Sequence, residues 1–226
     1  MLSPRSPKSV GIAQVPKSPP ASPSSGSKRP RRNRNVVSSS TKYGLTPMPT
    51  PQTAFAALSA KAAKPALMLA HTFDLKGDLS PEGWWASEKL DGVRAHWDGK
   101  QLWSRTGKEY LPPSWWVERL PANAQLDGEL FIMRDKFDET SGWIRGGASP
   151  MWADISYVVF DTVDFSAPLE KRWETARKAC NDGPMTVDQI IKAKGSQIAF
   201  LEQTKVTSRA HLDELLEKVE TVGGEG

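Results

Sequence analysis

All 26 acidic residues of this 226-residue chain lie beyond Lys64. Ahead of that point stand 11 Lys/Arg among many Ser and Pro, with few large apolar side chains. A stretch of that make-up cannot bury enough apolar surface to offset the entropy lost on ordering. Residues 1–64 therefore read as a disordered basic tail, and order is expected to begin near PALMLAHTF, Pro65 to Phe73. Residues 65–226 keep 19 basic and 26 acidic residues, a net of −7, so the formal +4 of the whole chain hides a mildly acidic body. Any attraction of that body for a polyanion must come from local patches.

The body is one domain of ordinary length. One cysteine, Cys180, and three histidines exclude a disulfide scaffold and a Cys/His zinc cluster, and they fit a reducing compartment. No apolar run approaches the ~18 residues of a membrane-spanning helix, so no membrane partner is expected. In the tail, KRPRRNR (Lys28 to Arg34) reads as a nuclear import signal or a nucleic-acid patch, and otherwise as a solvated linker. The acid-free, Arg- and Ser-rich composition also allows an organellar transit peptide, against which the many prolines argue. SPRSPK (Ser3 to Lys8) offers Ser-Pro sites where phosphate would offset positive charge.

Within the body, AHW and QLW flank Asp98-Gly99, a hairpin signal. LDGELFI (Leu126 to Ile132), SYVVFD (Ser156 to Asp161) and QIAFLEQTKV (Gln197 to Val206) read as strands. LEKRWETARKAC (Leu169 to Cys180) sets Leu169, Trp173 and Ala176 on one helical face. TVDQIIKA opens a helix with a capping box, Thr186 and Gln189. The last helix, Ser208 to Val222, gathers Leu212, Leu215, Leu216, Val219 and Val222 on one side and stops at Gly223. Strands and helices mix without strict alternation, which predicts an α+β domain with mainly antiparallel sheets and flanking helices. Trp84-Trp85 and Trp115-Trp116 are adjacent pairs; on strands, each pair would place one ring in the core and one outside.

One octet bears on chemistry. SEKLDGVR (Ser87 to Arg94) sets Lys89 between an acid and an Asp-Gly turn, five residues before Arg94. A nucleophilic lysine must lose its proton, which burial and nearby positive charge favour. Leu90 and Trp84-Trp85 supply apolar neighbours, and Arg94 supplies charge. Asp91-Gly92 makes a tight turn that brings backbone N–H groups towards a phosphate. By itself the octet fits equally a turn bearing a surface lysine.

SRTG (Ser104 to Gly107), LDGELF (Leu126 to Phe131), YVVFD (Tyr157 to Asp161) and GGEG (Gly223 to Gly226) follow in order. With SEKLDGVR, the series resembles the nucleotidyltransferase (adenylation) domain of ATP-dependent DNA ligases, especially the minimal bacterial type, over roughly residues 65–226. The resemblance implies that Lys89 attacks the α-phosphate of ATP and carries AMP. It assigns Glu88, Arg94, Arg105, Glu129 and Phe160 to nucleotide binding: Arg94 and Arg105 to the ribose or phosphates, Glu129 to the ribose hydroxyls, Phe160 to the adenine face. It makes Glu225 a ligand for Mg2+ or another divalent cation. The implied partner is nicked double-stranded DNA, and the implied state a monomer.

The family's paired lysines after the GGEG motif and its C-terminal OB-fold domain do not appear before Gly226. The chain is therefore expected to be an incomplete ligase. ATP is the expected nucleotide, because the zinc finger of NAD-dependent ligases is missing and one cysteine cannot build it. An RNA ligase, an mRNA-capping guanylyltransferase and a non-catalytic nucleic-acid-binding remnant are the competing readings. The tail's basic cluster makes the nucleus the expected location, with mitochondrion or plastid as alternatives.

Overall fold

Alternating apolar residues on short segments, broken by Gly, Pro and Asp turns, dictate two sheets here. The computed structural model describes residues 11–13, 65–74, 77–180, 182–195 and 197–226. In chain order the elements are β1 (Gly11–Ala13), β2 (His71–Thr72), β3 (Trp85–Ala86), β4 (Val93–Trp97), β5 (Leu102–Ser104), β6 (Glu109–Tyr110), α1 (Ser114–Val117), β7 (Leu126–Phe131) and α2 (Phe137–Arg145). After the 3-10 helix Pro150–Asp154 come β8 (Ser156–Thr162), α3 (Leu169–Ala179), β9 (Asp182–Met185), α4 (Val187–Ala193), β10 (Ile198–Leu201), β11 (Thr204–Lys205) and α5 (Arg209–Thr221).

The larger sheet has seven strands in the order β6-β5-β4-β7-β8-β10-β9. Its β6 to β8 part is antiparallel. Only β10 runs parallel to its neighbours β8 and β9, because helices α3 and α4 supply the crossovers that parallel pairing requires. The smaller sheet is antiparallel, in the order β11-β3-β1-β2. The fold is thus the expected α+β arrangement.

Strand alternation divides the large sheet's two faces. Ala95, Trp97, Leu126, Leu130, Tyr157, Val159, Ile198 and Phe200 belong to one core, which α3 covers with Leu169, Trp173 and Ala176. The helical face read from the sequence is therefore the buried one. Arg172 on α3 adds a two-pronged bond to Asp161 of β8, at 2.8 and 3.0 Å. On the opposite face Leu90, Phe131, Val158, Ala199 and Leu201 pack with Val187 and Ile190 of α4. Thr186 and Gln189 form the reciprocal capping box at the start of that helix. A third cluster joins Phe73, Val206 and Leu212 beneath α5.

The hairpin turns at Asp98-Gly99 as expected: Trp97 pairs with Leu102, and Gly99 takes φ +98°, where a side chain is disfavoured. Trp84 meets Phe73 while Trp85 meets Trp173, on opposite sides of the strand. Trp116 is fully buried and donates to the Ile155 carbonyl at 3.0 Å, whereas Trp115 is exposed. That pair lies on helix α1, so helical geometry rather than strand alternation separates the two rings.

Three expectations need correction. Gln197 to Val206 is not one strand: Glu202 and Gln203 interrupt it, and β10 and β11 belong to different sheets. Val222 lies beyond the last turn of α5 and is half exposed, because the chain leaves the helix before Gly223. Within the stretch read as disordered, Gly11–Ala13 forms a strand between β2 and β3; it falls in the short apolar run VGIAQV (Val10 to Val15). The rest of the tail, including KRPRRNR and the Ser-Pro sites, lies outside the described residues.

Candidate active site

Lys89 stands on the connection between β3 and β4. Leu90 beside it is buried in the α4-side core and anchors that connection. The Lys89 N–H donates to the Gly226 carbonyl, and its ammonium forms an ion pair with Glu225. Both side chains are part exposed.

Gly92 explains the Asp-Gly pair. A Cβ there would lie 2.5 Å from the Leu130 carbonyl oxygen and 2.8 Å from Glu129 Cγ. Only a glycine lets the chain pass this close to β7. Its N–H then bonds the Glu129 carboxylate, and the Lys89 charge acts on that carboxylate too.

Beyond the turn, β4 and β7 pair with Arg94 opposite Glu129 and His96 opposite Asp127. Alternation puts these four side chains on the face away from α3. Arg94 donates from Nε and Nη2 to Asp127, at 3.0 and 2.6 Å, and from Nη2 to the Met68 carbonyl at 2.7 Å. Its guanidinium carbon lies 5.4 Å from the centroid of the Phe160 ring. Burial pushes the Glu129 carboxyl up to about 8, against the pull of Arg94 and Lys89. Burial also raises Asp127, although Arg94 opposes it. Tyr110 is pushed up to about 12 by burial and by the nearby Glu129 carboxylate. His96 is buried, which lowers its pKa and favours the neutral ring. Neither of its ring nitrogens has a hydrogen-bond partner among the described residues.

The predicted residues divide into three groups. Lys89, Arg94, Glu129 and Phe160 come together, with Glu225 against Lys89. The Glu88 carboxylate turns instead to Arg134, which donates to it at 2.6 and 2.8 Å. Arg105 stands exposed on the turn after β5, whose backbone closes through the Gly107 N–H to the Ser104 carbonyl. Among the described residues, no group of three His, Cys, Asp or Glu side chains is placed to hold a metal ion. Asp91 is the carboxylate that the Glu225 charge acts on: burial raises its carboxyl, and Glu225 raises it further.

Asp127, His96, Tyr110 and Arg134 were not read from the sequence as site residues. Asp127 was legible, since it precedes Glu129 by two on the same strand and so shares its face. Arg134 comes from the turn after β7, where no periodicity gives a direction.

This cluster can bind an anion and a sugar hydroxyl beside an amine, the demands of nucleotidyl transfer. No family model matches the chain. A DNA ligase of Haemophilus influenzae is 36% identical over 160 residues, covering 71% of this chain and 54% of that protein. A solved Lig E DNA ligase, described as binding DNA with a minimal scaffold, superposes with a TM-score of 0.54 at 28% identity, covering 65% of this chain and 54% of that one. A Chlorella virus DNA ligase-adenylate gives a TM-score of 0.48 at 24% identity, covering 62% of this chain and 50% of that one. The chain spans about half the length of the relatives it matches. Fold, sequence similarity and the ordered motifs agree: over its described body the chain is similar to DNA ligases of the minimal type and has the fold of their adenylation domain.

Proposed function

We propose that this domain carries out the nucleotidyl-transfer chemistry of a nick-sealing DNA ligase that uses ATP. Lys89 Nζ attacks the α-phosphate, an Nζ–P bond forms, and pyrophosphate leaves. The ammonium proton passes towards the Glu225 carboxylate with which it is paired. AMP is then transferred to a 5′-phosphate, and a 3′-hydroxyl displaces it. Arg94, pre-oriented by Asp127, presents its remaining donor capacity to phosphate or ribose. Glu129 bonds the ribose hydroxyls, and Phe160 offers a stacking surface for the base. The observation that carries this reading is the convergence of Lys89, Glu129, Arg94 and Phe160 from three separate motifs.

A divalent cation such as Mg2+ fits modestly. Mg2+ is usually held by one or two carboxylates plus substrate phosphates, and Glu225 lies close enough to Asp91 for its charge to raise the Asp91 carboxyl. Such an ion would neutralise phosphate charge. The basic tail suits attachment to the polyanionic substrate and import into the nucleus; a mitochondrial or plastid address is the other outcome of a localisation experiment.

Incubation with labelled ATP or GTP tests the chemistry. ATP should label Lys89, and Lys89→Ala and Lys89→Arg should take no label, since a guanidinium stays protonated. Labelling by GTP alone would replace the reading with a capping guanylyltransferase. Sealing of nicked RNA in preference to nicked DNA would make it an RNA ligase. AMP on another lysine would overturn the site.

A further inference from the structure

We propose that Arg134 is a positioning residue for Lys89, acting through Glu88; this rests on the ligase reading of the site. Glu88 is the residue immediately before the nucleophile, and Arg134 grips both oxygens of its carboxylate, Nε to Oε1 at 2.6 Å and Nη2 to Oε2 at 2.8 Å. The two side chains are 11% and 14% exposed, so the pair is largely withdrawn from water. A forked, partly desolvated bond of this kind fixes direction as well as distance.

The position of Arg134 gives the bond its meaning. It lies on the turn that leaves β7, the strand carrying Glu129. Asp135 beside it takes φ +61°, a left-handed conformation that costs a non-glycine residue energy. The turn thus reverses the chain directly after Arg134, whose side chain reaches back to Glu88. Through Arg134, the residue before Lys89 is tied to the strand that carries Glu129. Backbone passage at Gly92 fixes the other side of Lys89. The nucleophile is thus clamped between an attachment to β7 and one to the turn that follows it.

This assignment changes the role of Glu88. Its carboxylate is committed to Arg134 rather than turned to the nucleotide. A second arm runs from Arg134 Nη1 to Asp188 of α4, at 2.6 Å. Asp188 is 68% exposed, and an exposed pair of that kind contributes little. The two arms therefore separate a positioning role from a merely structural one, because tying α4 to the turn would depend on Asp188.

The full-length protein tests this with Arg134→Ala, Arg134→Lys and Asp188→Asn. Hydrogen–deuterium exchange of the segment 86–91 reads the clamp without ATP. Single-turnover labelling with ATP reads its effect on the chemistry. Arg134→Ala should raise exchange in that segment and slow lysine adenylation ~10²-fold, the scale of a misplacement near 1 Å, with ATP affinity little changed. Arg134→Lys should recover part of the rate, since a lysine keeps the charge but not the fork. Asp188→Asn should match wild type in both measurements. Equal slowing by Asp188→Asn and Arg134→Ala would overturn the proposal, as would wild-type exchange and rate in Arg134→Ala. If wild type takes no label while Arg134→Ala still loosens segment 86–91, the ligase reading falls and the clamp stands.

Discussion

The Arg94 guanidinium lies 5.4 Å from the centroid of the Phe160 ring, so the cation and the aromatic proposed to meet the nucleotide are in contact. A cation over an aromatic face is held by the ring's negative centre. The same ring is the surface proposed for the base. Phe160→Leu keeps apolar bulk but removes the π face. Base–aromatic stacking is worth ~1–3 kcal/mol, so ATP affinity should fall about tenfold, measured by titration calorimetry, while the melting temperature moves little.

Asp127 is almost fully buried and Arg94 is not. Removing the carboxylate charge leaves the guanidinium without its main partner. Asp127→Ala should lower stability by about 3 kcal/mol, read as a lower urea midpoint. It should also weaken ATP binding, because Arg94 loses its orientation. An unchanged midpoint would mean that the Met68 carbonyl alone holds the guanidinium.

Glu129 makes stability depend on pH with a definite sign. Its carboxyl titrates near 8 in the folded chain, above the ordinary value of 4.5. Between those values the folded state holds a proton that the unfolded state has lost, so stability falls as pH rises through this window. Glu129→Gln removes this contribution, while the raised Asp91 and Asp127 carboxyls keep theirs. The variant should melt at a temperature less dependent on pH across the window and above wild type at its alkaline end. Thermal melts at three pH values suffice to check it.

Gly92→Ala should damage both fold and chemistry. The added methyl meets a backbone carbonyl oxygen at 2.5 Å, which cannot move without shifting β7. Overpacking of this kind costs about 1–3 kcal/mol. Because Glu129 lies on β7 and Lys89 lies three residues before Gly92, adenylation should fall further than stability alone requires, measured as label per folded molecule.

The residues that speak through strand alternation were legible in the sequence. Lys89, Arg94, Glu129 and Phe160 were singled out by ordered motifs; the faces of Arg94, Glu129 and Phe160 follow from the period of two, whereas Lys89 stands on a connection and was legible from its motif alone. Leu169, Trp173 and Ala176 announced α3 through their helical spacing. What remained hidden depends on approach between distant segments. The fork from Arg134 to Glu88 spans 46 residues and begins in a turn, where side-chain direction has no period. The break at Glu202-Gln203 was equally silent, because Gln197 to Val206 has strand-like composition throughout. Sheet membership there is decided by partners, Tyr157 to Val159 on one side of the break and Trp85-Ala86 on the other.

That break has a mechanical consequence. Leu201 ends a strand of the large sheet, and Thr204 begins a strand of the small one. Two residues are too short to absorb a sliding motion, since a fully extended pair spans only ~7 Å. Tension on the small sheet is delivered directly to β10, which sits between β8 and β9 rather than at a free edge. Under a pulling force applied near residue 204, the hydrogen bonds of β10 load in shear along both flanks, so the two sheets should rupture in one event rather than peel apart in succession.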